Sequence, residues 1–240
     1  MRKLADNIWY TEPVAETDRP VLAIIQGASR ALMVDGGNSP NHALEFLRKL
    51  RDHCLPEPDY VAVTHSHCDH IFGLSALSGI VVSNDLTAQR IQTLNTLRWD
   101  DSAVAERVAQ GLEYEMTAIM LKSEMPGDRT DFKIREPEII YTDRLEIDLG
   151  HLVCRLQKIG GDHAPDSSVI LIPKRKIAFI GDCLYLRKND PATVEAVYNS
   201  LLGLDAEVYV DSHEAEPMTK ERLERRYFKN RSLKNDDGRY

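Results

Sequence analysis

The chain has 240 residues, 42% of them hydrophobic, which suits one large or two small domains with a substantial core. Its formal net charge of −8 gives no long-range attraction for nucleic acid or for an anionic membrane surface. Charged residues recur through residues 1–20, and the sequence lacks a run of about 18 apolar residues, so we expect neither a signal peptide nor a membrane span. The four cysteines form no paired framework, so we expect a cytoplasmic protein.

The first third of the chain alternates apolar segments with turn residues. Three segments predict strands, at residues 8–10, 21–25 and 31–35. Asn38 or Ser39, followed by Pro40, then predicts the start of a helix. The buried face of that helix is predicted to carry Ala43, Leu44, Leu47 and Leu50.

A cluster of metal-binding residue types follows a predicted buried strand at residues 59–63. The cluster consists of His65, His67, Asp69 and His70. Residues 73–77 predict the first turn of a helix, so the cluster lies on a loop that leaves a strand end, where functional residues often occur. In an extended loop, His65 and His67 can point one way while Asp69 and His70 turn to a second ion. Imidazole together with carboxylate suits Zn, Fe or Mn.

Beyond a short predicted strand at residues 80–82, residues 84–127 predict a helical insertion. One helix would present Leu86, Ile91, Leu94 and Leu97 on a single face. A second helix, ended by Pro126 and Gly127, would carry the repeat Val104, Val108, Leu112, Met116 and Met120. Four side chains here could line a substrate pocket, although a packing face is the commoner outcome for such a stripe: Trp99, Tyr114, Met116 and Met120.

The second half of the chain returns to strands. We predict paired strands at residues 145–149 and 152–156, then a hairpin formed by residues 168–172 and 176–180. A helix at 191–202, a strand at 207–210 and a charged helix at 218–231 complete the chain. Acidic residues dilute the basic ones in the last helix, which favours a solvated face over an RNA-binding one. Three histidines show no pattern of partners and are expected to be structural or exposed: His42, His53 and His151.

The order His-x-His-x-Asp-His after a strand resembles the metallo-β-lactamase superfamily. That resemblance implies three further ligands, a His, then an Asp or Cys, then a His. Matching positions are His163 in Gly-Gly-Asp-His-Ala-Pro-Asp, Asp182 in Gly-Asp-Cys and His213 in Asp-Ser-His-Glu. The resemblance covers about residues 5–215. It implies an α/β fold, a four-layer αββα sandwich, with residues 1–240 as a single domain and a helical insertion at about 84–127.

The resemblance also implies two divalent metal ions, with zinc as the first expectation and iron or manganese as alternatives. One ion would be held by His65, His67 and His163, the other by Asp69, His70 and His213, and Asp182 would bridge both. A hydroxide shared by the two ions would attack the substrate, and Asp69 would orient it and take part in proton transfer. Asp35 would support the metal site from beneath, with a plain strand-and-turn cap as the alternative.

Residues 163–183 are most similar to the zinc β-lactamases, but Asp182 stands where the best-known of them place a Cys ligand. Cys183 comes one position late, so a thiolate ligand there is the minor alternative. Asp182 makes the site more similar to glyoxalase II and the homoserine lactonases. Tyr185, three residues later, is expected to donate a hydrogen bond to the developing oxyanion, or else simply to pack. At the position of Tyr185 those lactamases place a Lys that binds the drug's carboxylate. β-Lactams are therefore disfavoured as substrates, unless Arg187 or Lys188 replaces the missing cation.

We therefore expect a binuclear metal hydrolase that cleaves an ester, thioester or lactone of a small molecule, without a membrane partner. The sequence indicates neither the substrate nor the oligomeric state. A phosphodiesterase or ribonuclease of the same superfamily is the first alternative, and the acidic chain disfavours a nucleic-acid substrate. A mononuclear iron persulfide dioxygenase, which binds one iron through two His and an Asp, is the second. A metal-stabilised binding protein is the third, disfavoured because all of the ligand positions are retained.

Overall fold

The computed structural model describes residues 1–184 and 191–237, in which two sheets stack face to face. The first sheet has seven strands, in chain order: β1 (Arg2–Ala5), β2 (Ile8–Tyr10), β3 (Ala23–Gln26), β4 (Ala31–Val34), β5 (Tyr60–Ala62), β6 (Ile80–Asn84) and β7 (Ile139–Tyr141). Strands β1 to β4 pair antiparallel, and β4 to β7 pair parallel.

The second sheet has six strands: β8 (Arg144–Asp148), β9 (Val153–Lys158), β10 (Ser168–Ile172), β11 (Ile177–Gly181), β12 (Val208–Asp211) and β13 (Met218–Thr219). Their order across the sheet is β13-β12-β11-β10-β9-β8. All pairs are antiparallel except β11 with β12, which are parallel. The predicted hairpin of β10 and β11 is confirmed.

Helices cover the outer faces of both sheets. They are α1 (Pro40–Asp52), α2 (Cys68–Ile71), α3 (Asp85–Leu94), α4 (Asp101–Ala109), α5 (Glu115–Glu124), α6 (Pro191–Leu202) and α7 (Lys220–Asp237). Helix α1 begins where the sequence predicts, because Ser39 Oγ accepts a hydrogen bond from the His42 N–H and Pro40 occupies the first turn. Within the described part of the chain, no helix is long and apolar enough to cross a membrane.

Three hydrophobic cores separate the four layers. Alternate residues of one strand point to opposite faces of a sheet, so Ile24 packs toward α1 while Ala23 and Ile25 pack between the sheets. In the second sheet, Ile170 faces the first sheet and Val169 faces α6 and α7. The central strands of each sheet are buried on both faces, which explains their continuous apolar runs, whereas β8 at the edge of the second sheet exposes alternate residues. The expected αββα sandwich is confirmed.

The helical region between β6 and β7 differs from the sequence prediction. The prediction of one continuous second helix is wrong, because this segment forms two helices, α4 and α5. In the linker between them, Gly111 has φ +69° and Leu112 is 70% exposed. Trp99 and Met120 are fully buried, and the Trp99 ring lies edge-on 4.7 Å from Phe72, so both are packing residues. Tyr114 and Met116, the other two candidate pocket residues, are exposed.

Smaller differences occur near the start of the chain. The sequence predicts Leu44 on the buried face of α1, but Leu44 is 50% exposed and Phe46 is buried in its place. Residues 73–77, predicted to start a helix, form only a 3₁₀ turn at Leu74–Ala76. The helical turn begins earlier, at Cys68, inside the histidine cluster itself. Strands β1 and β7 are not predicted by the sequence, and residues 218–219, predicted to start the last helix, form β13 instead.

Candidate metal centre

The predicted donor residues converge at one edge of the sandwich. His65 and His67 follow β5, and Asp69 and His70 lie on α2. From the second sheet, His163 precedes β10, Asp182 follows β11 and His213 follows β12. Strands β11 and β12 are parallel and β10 is antiparallel to β11, so these three positions reach the same edge. Gly181, at φ +54°, turns the chain into Asp182, and a Cβ there would lie 3.0 Å from the Thr64 side chain.

The first donor group contains His65, His67, His163 and Asp182. Nε2 of His163 lies 3.1 Å from Nε2 of His65 and 2.8 Å from Nδ1 of His67. Nε2 of His65 lies 3.0 Å from Nδ1 of His67, which closes a triangle of imidazole nitrogens. A tetrahedral ion with Zn–N bonds of about 2.0–2.1 Å holds its ligand atoms roughly 3.3 Å apart, so the triangle fits one ion.

The second donor group contains Asp69, His70, Asp182 and His213. Oδ2 of Asp69 lies 3.0 Å from Nε2 of His70 and 3.2 Å from Nε2 of His213. Within each group the ligand atoms lie no more than 4.8 Å from one another. The His213 side chain is 29% exposed while that of His70 is fully buried, so this group opens to solvent at His213.

Asp182 belongs to both groups. Its Oδ2 lies 3.3 Å from Nε2 of His163 and 3.3 Å from Nε2 of His213, and its Oδ1 lies 3.4 Å from Nε2 of His70. Among the described residues, Asp182 Oδ1 and His70 Nε2 are buried without a well-formed hydrogen bond. Buried polar atoms rarely stay unpaired in native proteins, so both atoms fit the role of metal ligands.

Asp35 orients two of the imidazoles from below. Its carboxylate accepts hydrogen bonds from the Thr64 N–H (2.7 Å), from Thr64 Oγ1 (2.9 Å) and from Nδ1 of His70 (2.8 Å). Thr64 Oγ1 thus donates to Asp35 and can accept from Nδ1 of His65, 3.1 Å away. In both histidines Nδ1 then carries the proton and Nε2 is aimed at the donor groups. Asp35 therefore positions candidate donor residues and is more than a plain strand cap.

Electrostatic coupling within the second group is strong. Burial lowers the pKa of His213, but hydrogen bonds to Asp182 and Asp69 outweigh it and raise that pKa to about 10. Burial likewise opposes the charge on His70, yet the Asp69 and Asp35 carboxylates hold its pKa well above the usual range. Burial and the neighbouring His70 lower the pKa of His65 well below its usual range, so His65 is neutral, as a metal ligand must be. Metal binding at the second group would therefore release imidazole protons.

Sequence reasoning gave no role to Asp166, which links the two halves of the site. Asp166 Oδ2 accepts hydrogen bonds from the Ser66 N–H (2.9 Å) and from Thr87 Oγ1 (2.8 Å). Ser66 stands between His65 and His67, so Asp166 fixes the backbone that carries both. The available signal was its position three residues after His163.

Two further predicted residues have different outcomes. Cys183 is buried among apolar side chains of α6 and α7, and burial raises the pKa of its thiol well above the usual range. It is not part of either donor group. Tyr185 lies outside the described residues, as do Arg187 and Lys188. Of the histidines expected to be structural or exposed, His42 is buried and His53 is exposed.

Comparison with known families agrees with this geometry. The family described as Metallo-beta-lactamase superfamily matches residues 21–213, a range that contains both donor groups. The chain belongs to the metallo-beta-lactamase superfamily and is an enzyme of the metal-dependent hydrolase class. A search by sequence among curated proteins finds no match.

Solved structures share the fold at low sequence identity. A metallo-beta-lactamase from Pontibacter korlensis is 18% identical with a TM-score of 0.63, over 93% of this chain and 94% of that one. A metallo-beta-lactamase family protein from Thermus thermophilus is 17% identical with a TM-score of 0.67, over 96% and 81%. A stereoselective inverting sec-alkylsulfatase from Pseudomonas sp. is 14% identical with a TM-score of 0.67, over 96% and 42%. At such identities the likeness extends to the fold alone.

Proposed function

We propose that the chain binds two divalent metal ions, zinc by first preference, and hydrolyses an ester, thioester or lactone of a small molecule. The observation that carries the proposal is the shared position of Asp182 between two complete donor groups. One tetrahedral ion cannot use this many donors, and two imidazole-and-carboxylate groups suit two ions. Bound ions would supply Lewis acidity and a source of hydroxide near neutral pH.

We assign proton transfer to Asp69 and the holding of both ions to Asp182. Asp182 Oδ2 lies within 3.9 Å of three different imidazole nitrogens, so its lone pairs are directed into the donor groups. Among the described imidazoles, Asp69 Oδ2 contacts those of His70 and His213, and His213 lies where the second group opens to solvent. Burial raises the pKa of Asp69, but the nearby His70 and His213 hold it below its usual value, so Asp69 remains a carboxylate that can take a proton.

The second donor group favours a hydrolase over the alternative reaction classes. A mononuclear iron dioxygenase would use one group, and the convergence of Asp69, His70 and His213 would then have no role. The role of Tyr185 as a donor to the developing oxyanion rests on its spacing from Asp182 and stays a prediction.

The proposal is tested by metal analysis and a substrate panel. Protein purified without added metal is expected to contain two metal ions per chain and to cleave a thioester, an ester or a lactone faster than a phosphodiester. Asp69→Asn preserves the shape of the side chain and is expected to retain metal while kcat falls by roughly 10²–10³-fold. One tightly bound iron with oxygen uptake on a persulfide, or turnover of the phosphodiester alone, would overturn the proposal.

A further inference from the structure

A closed loop between β2 and β3 lies beside the second donor group. Val14 and Arg19 exchange two backbone hydrogen bonds, at 2.9 and 3.0 Å, which close the loop around a 3₁₀ turn at Ala15–Thr17. Asp18 ends this turn in the left-handed region, at φ +54° and ψ +39°. The backbone of Asp18 is therefore fixed by local hydrogen bonds.

Three anchors hold this loop in place. Asn38 Nδ2 donates to the Thr17 carbonyl at 2.8 Å, and Asn38 lies in the turn just after Asp35. The Val21 N–H donates to the Ser212 carbonyl at 2.8 Å, directly before His213. Arg19 is paired with Glu124 and Glu45. The loop is thus tied to the turn after Asp35, whose carboxylate bonds His70, and to the residue before His213.

The carboxylate of Asp18 lies within electrostatic reach of the second group. The side chain is partly buried, and its main electrostatic partners are the four members of that group: Asp69, His213, His70 and Asp182. Burial, followed by the like charge of Asp69, raises the pKa of Asp18 to about 6. Asn or Gly would suit the left-handed turn equally well, without placing a third carboxylate beside Asp69 and Asp182. The turn explains the backbone at this position, but it does not explain the charge.

We propose that Asp18 selects substrates by charge, excluding those with an anionic group beside the second donor group and admitting neutral or cationic ones. This proposal rests on the proposed function, because it concerns the substrate of the same site. Metal ions would attract carboxylate-bearing substrates, and a fixed carboxylate beside the ions opposes that attraction. An ammonium group on the substrate would instead gain an ion pair with Asp18.

The test uses one thiol series in two ways. The acetyl thioesters of mercaptoacetate, 2-mercaptoethanol and thiocholine carry a negative, neutral and positive leaving group. Asp18→Asn keeps the size of the side chain and tolerates the left-handed backbone, so it removes only the charge. Glu16→Gln, in the same turn but exposed, is the matched control for net charge.

Wild-type protein is expected to cleave the anionic thioester least efficiently. Asp18→Asn should raise kcat/KM for the anionic thioester relative to the neutral one by roughly 10-fold, whereas Glu16→Gln should leave that ratio within about 2-fold. Wild-type discrimination should also shrink in about 0.5 M salt, because screening shortens the reach of a charge. A purely structural role in the turn would not produce this salt dependence.

The free thiols of the same series measure binding without turnover. Calorimetry with the three free thiols on metal-loaded protein should show that Asp18→Asn lowers the Kd of mercaptoacetate, relative to 2-mercaptoethanol, by a similar factor. If no carbonyl substrate is cleaved but this binding ratio shifts, the proposed hydrolase fails and charge selection by Asp18 stands. The inference is overturned if both ratios are unchanged in Asp18→Asn, or if they shift equally in Glu16→Gln. It is also overturned if Asp18→Asn loses metal.

Discussion

Adjacent residues Asp182 and Cys183 lie in opposite environments. Asp182 reaches both donor groups, while Cys183 is buried in the apolar core beneath α6 and α7. We expect Asp182→Ala to lose at least one metal ion and most of the activity, because no other carboxylate lies between the groups among the described residues. Cys183→Ser should retain both ions at some cost in stability, since it buries a hydroxyl.

Elemental analysis and turnover of the best carbonyl substrate measure both effects. The unfolding midpoint of each variant, compared in the presence of a chelator, separates metal loss from misfolding. The opposite pattern, with metal lost in Cys183→Ser and kept in Asp182→Ala, would mean that the ligand is the thiolate.

His42 is a buried neutral imidazole that should make stability depend on pH. Burial lowers the pKa of His42 to about 3, and its Nδ1 faces the Asn38 N–H at 3.4 Å. In the unfolded chain the pKa returns to about 6.5, so below that pH the unfolded state binds a proton that the folded state refuses. His42 therefore lowers the free energy of unfolding as pH falls from about 6.5 toward 3, by about 2 kcal/mol between pH 6.5 and 5.

Replacing His42 by Gln removes the titration and should flatten this part of the stability profile. Urea unfolding of metal-free protein between about pH 7 and 5 measures the slope. His53→Gln, at an exposed site on the end of the same helix, is the matched control for replacing an imidazole by an amide. Equal slopes for wild type and His42→Gln would show that His42 is protonated in the folded state.

At the scale of elements, the sequence predicts secondary structure best where the residues of the segment itself decide it. Strands β3, β4 and β10 have both faces buried, and their apolar runs are unambiguous. Strand β1 carries Arg2 and Lys3 at the edge of the sheet, so its sequence resembles a surface loop, and its pairing with β2 alone makes it a strand. Strand β7 is only three residues long with Ile140 exposed, and pairing with β6 decides it.

The donor residues likewise divide into those that local sequence predicts and those that only the fold brings together. The spacing of His65 to His70 is local, and the chemistry of the residues points to metal without knowledge of the fold. His163, Asp182 and His213 come together through strand order, so their assignment depended on family resemblance. Asp166 bonds residues far away in sequence, and the loop that carries Asp18 is anchored to residues equally distant in the chain. Periodicity and spacing do not record such contacts.

One of the three anchors of the loop that carries Asp18 is an ion-pair cluster between elements. The buried Glu124, at the end of α5, accepts hydrogen bonds from Nε and Nη2 of Arg19, both at 2.8 Å, and from Ser39 Oγ at 3.3 Å. Glu124→Gln leaves Arg19 without that charge partner in a partly buried position. We expect it to lower the free energy of unfolding by about 2 kcal/mol, less than for a fully buried pair because Arg19 is partly solvated and retains Glu45.

Chemical denaturation measures the loss, and limited proteolysis should show faster cleavage within residues 14–19. Glu115→Gln, at an exposed position on the first turn of α5, provides the comparison and should change stability by less than about 0.5 kcal/mol. If the two variants are equally stable, the cluster does not hold the loop.

At the scale of the whole molecule, the candidate metal centre draws its donor residues from both halves of the sandwich. The first sheet supplies His65, His67, Asp69 and His70, and the second supplies His163, Asp182 and His213. An ion bound only by the folded state stabilises it by about 2.7 kcal/mol at a free concentration 100 times its Kd. Because each donor group contains residues from both sheets, an ion bound there should resist separation of the sheets along the edge that holds the donors.

Two backbone hydrogen bonds between the sheets report on opposite edges. At the donor edge, the Ser168 N–H donates to the Thr64 carbonyl at 2.7 Å. At the far edge, the Ala28 N–H donates to the Gly150 carbonyl at 2.9 Å. Hydrogen exchange of these two amides can therefore separate a local effect of metal from a general gain in stability.

We expect metal loading to slow exchange of the Ser168 amide by roughly 10²-fold, corresponding to the stabilisation above, and to change the Ala28 amide much less. The difference arises because opening the donor edge must break ligand bonds, whereas opening the turns at the far edge need not. In Asp182→Ala, whose two groups lack their shared carboxylate, the effect of metal on Ser168 should largely vanish. Equal slowing of both amides would mean that metal acts only through global unfolding, and no slowing at Ser168 would mean that metal does not bind across the two sheets.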